Sequence, residues 1–280
     1  GGLDNNSEPV TADSSEWIYN WDRMYYDLSV YTGVVGLSHK KIINNSTYIN
    51  SSLVASSSQF IYNQKRMDDN LILNDYLNLD NTESKYTFTT YINKKLSAKH
   101  TNRTGLIINN LHYNTNTAAE EQGEMIDYIK SKGNSYLIQA YSQSKYHINQ
   151  RLLLNLGVHA QYLLFNENYS IEPRAGLRYS INTKNAISIG YGNHSQMEPL
   201  KVYLYQQQNE IGRIFPNRNL DFSKAHHFII GYDYFITPNL RIKIEPYYQS
   251  LYNIPVIADS TWSMINYEQE FAFNKTLVSE

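Results

Sequence analysis

The stretch "LRYSINTKNAISIGYGNHSQ", residues 177–196, decides the fold. Leu177, Tyr179 and Ile181 alternate with Arg178 and Ser180. After the polar segment "INTKN", Ile187, Ile189 and Tyr191 alternate with Ala186, Ser188, Gly190 and Gly192. A period of two puts successive side chains on opposite faces of a strand. The segment is therefore a predicted β-hairpin with one apolar face and one polar or small face. Its apolar face turns either in towards a protein core or out towards lipid, and the rest of the sequence has to choose.

The chain has 280 residues and a net charge of -2, so no strong field points to a nucleic-acid partner. Tyr is abundant, 26 against 9 Phe, and Pro is scarce at 7, as strands favour. Mean hydropathy is -0.52, and no run approaches the roughly 18 apolar residues of a membrane-spanning helix. A barrel built of strands makes only alternate residues apolar, so low hydropathy is compatible with a membrane. The absence of Cys removes disulfides, thiol nucleophiles and Cys-ligated metals. The chain opens at Gly1 with no basic-then-apolar leader and ends in the polar "FNKTLVSE". The expectation is a piece of a longer protein.

Ten strands are predicted: Tyr31–Ile42, Thr47–Tyr62, Ser84–Lys94, Asn102–Asn114, Asn134–His147, Arg151–Asn166, Tyr169–Ile181, Ala186–Gln196, Ser223–Ile236 and Leu240–Asn253. One helix is expected over Ala118–Lys132, with Met125, Ile126 and Ile129 as its apolar face. Short connections at 44–46, 95–100, 149–150, 182–185 and 237–239 alternate with long ones at 63–83, 115–133, 197–222 and from 254 onward; the short 166–170 is the exception. In an antiparallel meander, successive connections lie on opposite rims. One rim therefore carries tight turns and the other long loops, the pattern of an outer-membrane barrel.

Strand length agrees. Runs of ten or more alternating residues exceed the average of about 5–6 in soluble proteins and suit a tilted strand crossing a bilayer. Tyr162, Tyr169, Tyr179, Tyr203, Tyr248 and Tyr252 lie near strand ends, where an interfacial girdle would stand. With the apolar face towards lipid, Glu172, Arg174, Arg178, Arg241, Lys243 and Glu245 face the lumen. Turning the four cations outward at mid-bilayer would cost about 8 kcal/mol or more. The fold class is thus all-β, an incomplete antiparallel transmembrane β-barrel of about ten strands. Leu106–Leu111 is apolar on both faces and stays unoriented.

"IEPRAGLRYSINTKNAISIGYGNHSQMEPLKVYL" and "NLDFSKAHHFIIGYDYFITPNLRIKIEPYYQSLYNIPV" resemble the barrel of TonB-dependent outer-membrane receptors, chiefly over 169–256 and most nearly the subgroup with a carboxypeptidase-like N-terminal extension. The resemblance implies a 22-stranded barrel, a plug domain, a partner TonB complex and energised uptake of an extracellular nutrient: an iron chelate, cobalamin, an oligosaccharide or a peptide. Residues 1–280 then form a partial barrel in a Gram-negative outer membrane, without the plug or the barrel's C-terminus. A passive porin-like or surface-binding barrel is the alternative, and a soluble secreted all-β carbohydrate-active protein a further one.

In that reading His194, Gln196, Glu198, Arg213 and Arg218 stand at the extracellular rim as candidate ligand contacts, with Met197 beside them. Asp68, Asp69, Asp75 and Asp80 could offer oxygen ligands to a hard cation, but their spacing is not that of an EF-hand. His226 and His227 fall on opposite faces of one strand, so they cannot chelate together. No metal motif, cofactor motif, nucleophile elbow or phosphate loop is present, so no cofactor and no catalytic activity are expected.

Overall fold

A computed structural model describes residues 2–8, 14–209, 212–266 and 274–279. Its main sheet opens with β1 (Gly2–Glu8), β2 (Met24–Asn44), β3 (Thr47–Met67), β4 (Leu73–Lys95), β5 (His100–Glu121) and β6 (Glu124–His147). It continues through β7 (Leu152–Leu163), β8 (Asn168–Ser180) and β9 (Asn185–Gln196). An excursion follows, with α1 (Leu200–Tyr203), β10 (Gln207–Asn209) and β11 (Gly212–Ile214). The sheet resumes with β12 (Ser223–Thr237), β13 (Leu240–Ile244) and β14 (Tyr247–Tyr252).

Each strand pairs antiparallel with its neighbour in sequence, giving the order β1-β2-β3-β4-β5-β6-β7-β8-β9-β12-β13. β14 also pairs with β12, so β13 and β14 are two halves of one strand broken at Glu245 and Pro246. Pro246 has no N–H to donate, yet its carbonyl accepts from Ile230 N at 3.1 Å, which carries the ladder across the break. Among the described residues, β1 and β13/β14 do not pair with each other. The sheet is an open arc of a barrel.

The apolar face has the height of a bilayer's hydrocarbon. On β8 it runs from Tyr169 through Ile171, Pro173, Ala175 and Leu177 to Tyr179; on β6 the same face runs from Tyr136 through Ile138, Ala140, Ser142 and Ser144 to Tyr146, the two serines being hydrogen-bonded to β5. In each strand the bounding tyrosines are ten positions apart, about 33 Å of strand, or about 23 Å of height at a tilt of 45°. Barrels that cross outer membranes carry an apolar band about 25 Å tall between aromatic girdles. Ile171 is 64% exposed and Val35 71% on this face, and a large exposed apolar surface marks a site covered by lipid or protein.

Strand lengths divide the arc. β2 to β6 have 21, 21, 23, 22 and 24 residues, whereas β7, β8 and β9 have 12, 13 and 12. About ten residues cross a bilayer, so the early hairpins stand far above the band and the later ones stop near it. Two expectations fail here. Most of the "loops" 63–83 and 115–133 is strand, and Ala118–Lys132 is a hairpin rather than a helix.

The reason lies at Gln122 and Gly123, which have φ of 53° and 88°. Both central residues are left-handed, Glu121 pairs with Glu124, and the connection is a two-residue hairpin turn. Alternation on either side (Thr115 and Thr117 in, Asn114 and Asn116 out) outweighs the weak helical stripe. A bulge beside Thr117 leaves Tyr128 unpaired and buries both Tyr128 and Ile129.

The tall wall is covered on its polar side. The 197–222 excursion folds back and buries Leu200, Val202, Tyr203, Leu204 and Phe222 against Leu111, Ile129, Leu137 and Leu163. Tyr203, expected at a strand end, is instead fully buried on α1. Asn217, 0% exposed, clips the segment 274–279 into this core. Its amide donates to the Lys275 carbonyl at 2.7 Å and its Oδ1 accepts from Leu277 N at 2.8 Å.

Gly123→Val should strain the hairpin turn by about 1 kcal/mol. Since nicking follows the open population, protease cleavage at 120–126 should rise about fivefold with the rest of the wall intact; unchanged cleavage would show that the turn tolerates a side chain.

Candidate functional site

The six charges assigned to the polar face form three ion-paired groups. The first centres on Glu172, 2% exposed on β8. Its Oε1 accepts from Gln161 Nε2 at 3.0 Å, Ser170 Oγ at 3.2 Å and Ser195 Oγ at 2.6 Å. Its Oε2 accepts from Arg174 Nη2 at 2.7 Å, and His159 Nδ1 lies 3.0 Å away, out of line for a straight hydrogen bond. The other nitrogen of His159 is 3.1 Å from Gln139 Oε1.

Backbone geometry builds this cluster. β8 and β9 pair from Ser180–Ala186 up to Arg174–Gly192 and then part, while β7–β8 and β9–β12 continue. Ser195, beyond the end of that ladder, reaches Glu172 across the gap. The side chains therefore close a seam that the backbone leaves open, which is why a carboxylate can be so deeply buried.

The second group centres on Asp233 of β12, 1% exposed. Arg178 of β8 and Arg241 of β13 both bind it, the latter with Nε at 2.7 Å. Arg178 has to pass over β9 to do so. There β9 presents Ala186, directly opposite Asp233, and Ser188, directly opposite Arg178. The small face of the 177–196 hairpin is thus clearance for an arginine bridging three strands. The third group is the half-exposed pair Lys243–Glu245 on and just after β13.

The rim candidates separate. His194 joins the Glu172 group: a Cβ at Gly192 would come 2.7 Å from its Nε2, so the ring lies across that glycine. It also meets His227 edge-on at 4.8 Å. Together with Tyr141, Asn155, His159 and Arg174 it lines a cavity of 870 Å³. Gln196 is exposed, at a second cavity of 480 Å³ between β3–β5 and the excursion.

Glu198, Arg213 and Arg218 are occupied in holding the excursion down. Glu198 accepts from Ser223 Oγ, and its N–H donates to the Tyr203 hydroxyl at 3.1 Å. Arg213 reaches Asp127 at 3.2 Å, and Arg218 stacks on Phe165 at 4.8 Å and donates to its carbonyl. Burial pushes the Glu198 carboxyl up, with Ser223 opposing. Burial, reinforced by the Glu121 carboxylate to which it donates, pushes the Tyr128 hydroxyl up to about 12.

The acidic loop resolves differently from a cation site. Asp68 caps its own turn, accepting from Asn70 N and Ile72 N at 2.9 Å. Asp69 meets Arg23, Asp75 meets Lys65, and Asp80 accepts from Gln59. Sequence reading missed Gln161, His159, Ser170, Ser195 and Asp233. Three of these were legible in the β7–β8 register, which puts His159 opposite Glu172 and Gln161 opposite Ser170.

No family model matches the chain, and no curated protein matches its sequence. Solved structures do. The ferric-catecholate import receptor Fiu of Escherichia coli superposes with a TM-score of 0.62 at 14% identity, over 86% of this chain and 43% of that one. The RagAB peptide transporter gives 0.61 at 10% identity, over 92% and 33%. The pyoverdine receptor FpvA of Pseudomonas aeruginosa gives 0.60 at 11%, over 91% and 40%. The chain has the fold of an outer-membrane receptor barrel. It spans a third to just under half the length of these structures.

Two expectations follow. Glu172→Ala should destabilise the wall by about 3 kcal/mol, the low end for breaking a buried pair, whereas Lys243→Gln should cost less than 1 kcal/mol. Thermal melts of the detergent-solubilised barrel distinguish them, and equal losses would refute the ranking. Second, a tyrosine whose pKa is raised on folding stabilises below its ordinary value near 10 and loses that contribution as pH climbs through 12. Trp262, packed against the same core, should therefore report loosening of the excursion between pH 10 and 12, and less of it in Tyr128→Phe.

Proposed function

We propose that the chain is wall and rim of a TonB-dependent outer-membrane receptor that takes up an extracellular nutrient by energised transport. The observation that carries this reading is the tyrosine-bounded apolar band, on a fold otherwise found in import receptors. Such a band needs lipid against it, because in water it would be one continuous exposed apolar surface. The opposite face then lines the lumen, with Glu172, Arg174, Arg178, Arg241, Lys243 and Glu245 on it. Energised uptake rests on the likeness to import receptors.

In this reading the tall β2–β6 wall and the docked excursion form one side of the extracellular vestibule. Of the rim residues, His194 and Gln196 are the ones free to meet a ligand, and they do so at the two cavities. Glu198, Arg213 and Arg218 serve recognition indirectly, by fixing the shape of that side. The partners are outer-membrane lipid, a plug domain, the TonB complex and the nutrient. Iron chelates, cobalamin, oligosaccharides and peptides all remain open as cargo.

The test uses the intact protein in cells. Uptake of its nutrient should stop when the proton-motive force is collapsed, and the purified protein should need detergent to stay folded and monomeric. Uptake that survives the uncoupler would mean a passive pore; stability in plain buffer would overturn the membrane assignment itself.

A further inference from the structure

The apolar face is not uniform. Across β8, β9, β12 and β14 it sinks into a groove of 520 Å³ floored and walled by Ala175, Leu177, Ile189, Phe228, Ile230 and Tyr248. A ladder of rings rises along one side: Tyr248 against Phe228 at 6.3 Å, Phe228 against Tyr191 at 5.1 Å, and Tyr191 beside His226. His226 then stacks on Tyr252 at 4.8 Å.

The top of this ladder is polar, although it lies on the lipid face. Tyr191 hydroxyl and His226 Nδ1 are 3.0 Å apart, and Asn193 Nδ2 donates to the Tyr252 hydroxyl at 2.8 Å. With Nδ1 taken by Tyr191, His226 has its Nε2 left for a partner, and Tyr252, accepting from Asn193, keeps its own hydroxyl proton. Lys224 shares the face of His226 and Phe228, and it makes no ion pair among the described residues. It stands ten positions above Tyr234 on β12, the separation found between the girdle tyrosines of β6 and β8. That level is the outer interface, where an ammonium finds lipid phosphate.

We propose that this site binds a phosphate-bearing acylated lipid of the outer leaflet, one acyl chain in the groove and its phosphate on Lys224, with His226 and Tyr252 as hydrogen-bond donors. The proposal rests on the membrane reading above. Charge complementarity selects the occupant: an apolar slot alone accepts any chain, but a lone cation with two donors at its mouth favours an anionic head group. The groove supplies hydrophobic area, and the mouth supplies selectivity.

The experiment is native mass spectrometry of the intact detergent-solubilised protein with added diphosphorylated lipid A, its dephosphorylated form carrying the same chains, and inorganic phosphate. The phosphorylated lipid should be retained in preference to the dephosphorylated one. Lys224→Gln should weaken it about fivefold, as the loss of one cation near a membrane surface implies. Ala175→Phe, which fills the groove, should also weaken it while the folded band on an unboiled gel persists. Equal retention of both lipids, no effect of Lys224→Gln, or full competition by inorganic phosphate would overturn the proposal. A protein that needs detergent yet shows no such preference fails this inference alone; one that needs no detergent fails the membrane reading beneath it.

Discussion

Hydrocarbon offers no partner for a backbone N–H or C=O, so a strand that crosses it must satisfy those groups laterally, residue after residue. Most of what is distinctive in this wall follows. Pro246 falls between two half-strands, where the ladder to β12 is already broken, and its carbonyl still serves Ile230. A parting of the ladder between β8 and β9, above Arg174, is filled by Glu172, Ser170, Ser195 and Gln161 on the polar side. A gap in backbone pairing and a buried carboxylate are each costly alone. Together each supplies what the other lacks.

The same constraint fixes the small residues. An arginine on the polar face needs a counter-charge, because membrane-spanning walls keep ionisable groups paired or wet. Arg178 finds Asp233 two strands away only because β9 offers Ala186 and Ser188 between them. The hairpin at 177–196 therefore reads on two levels. Its large residues make the lipid band, and its small ones make room for charges that belong to neighbouring strands.

Much of this was legible in the sequence. Alternation over Leu152–Tyr252 located β7 to β14, apart from the excursion, because nearly every position there obeys one apolar and one polar neighbour. It failed above the bilayer. In Ala118–Lys132 both faces lie outside lipid, one wet and one covered by the excursion, so the contrast between faces fades and a weak helical stripe competes with it. The left-handed pair Gln122–Gly123 was the better signal, and Gly is the residue that turn asks for. Site residues were legible where charge marks them, as at Glu172 and Arg241. They were hidden where the role depends on register: Asp233 and Ser195 acquire theirs only when β8, β9 and β12 are aligned. In the 197–222 loop polar character carries a structural role that the sequence does not show, since Arg213 and Arg218 make contacts that hold the loop.

On the proposed receptor reading, the division of heights bears on how the wall would gather cargo. The later strands end near the membrane, so their side of the rim is low and is completed by a folded excursion. The early strands carry their own pairing far outward. An extended hairpin is stiff only if a face is packed, and here the packing comes from the excursion: Tyr128, Ile129, Leu200, Val202 and Phe222 form a core that neither segment owns alone. Loosening that core would free the tall hairpins and the loop at once. The shape of this side of the rim is thus set by one shared hydrophobic contact rather than by independent loops. In the receptor reading proposed above, recognition through His194 and Gln196 depends on residues that never touch the ligand, since both stand at the point where β9 gives way to the excursion.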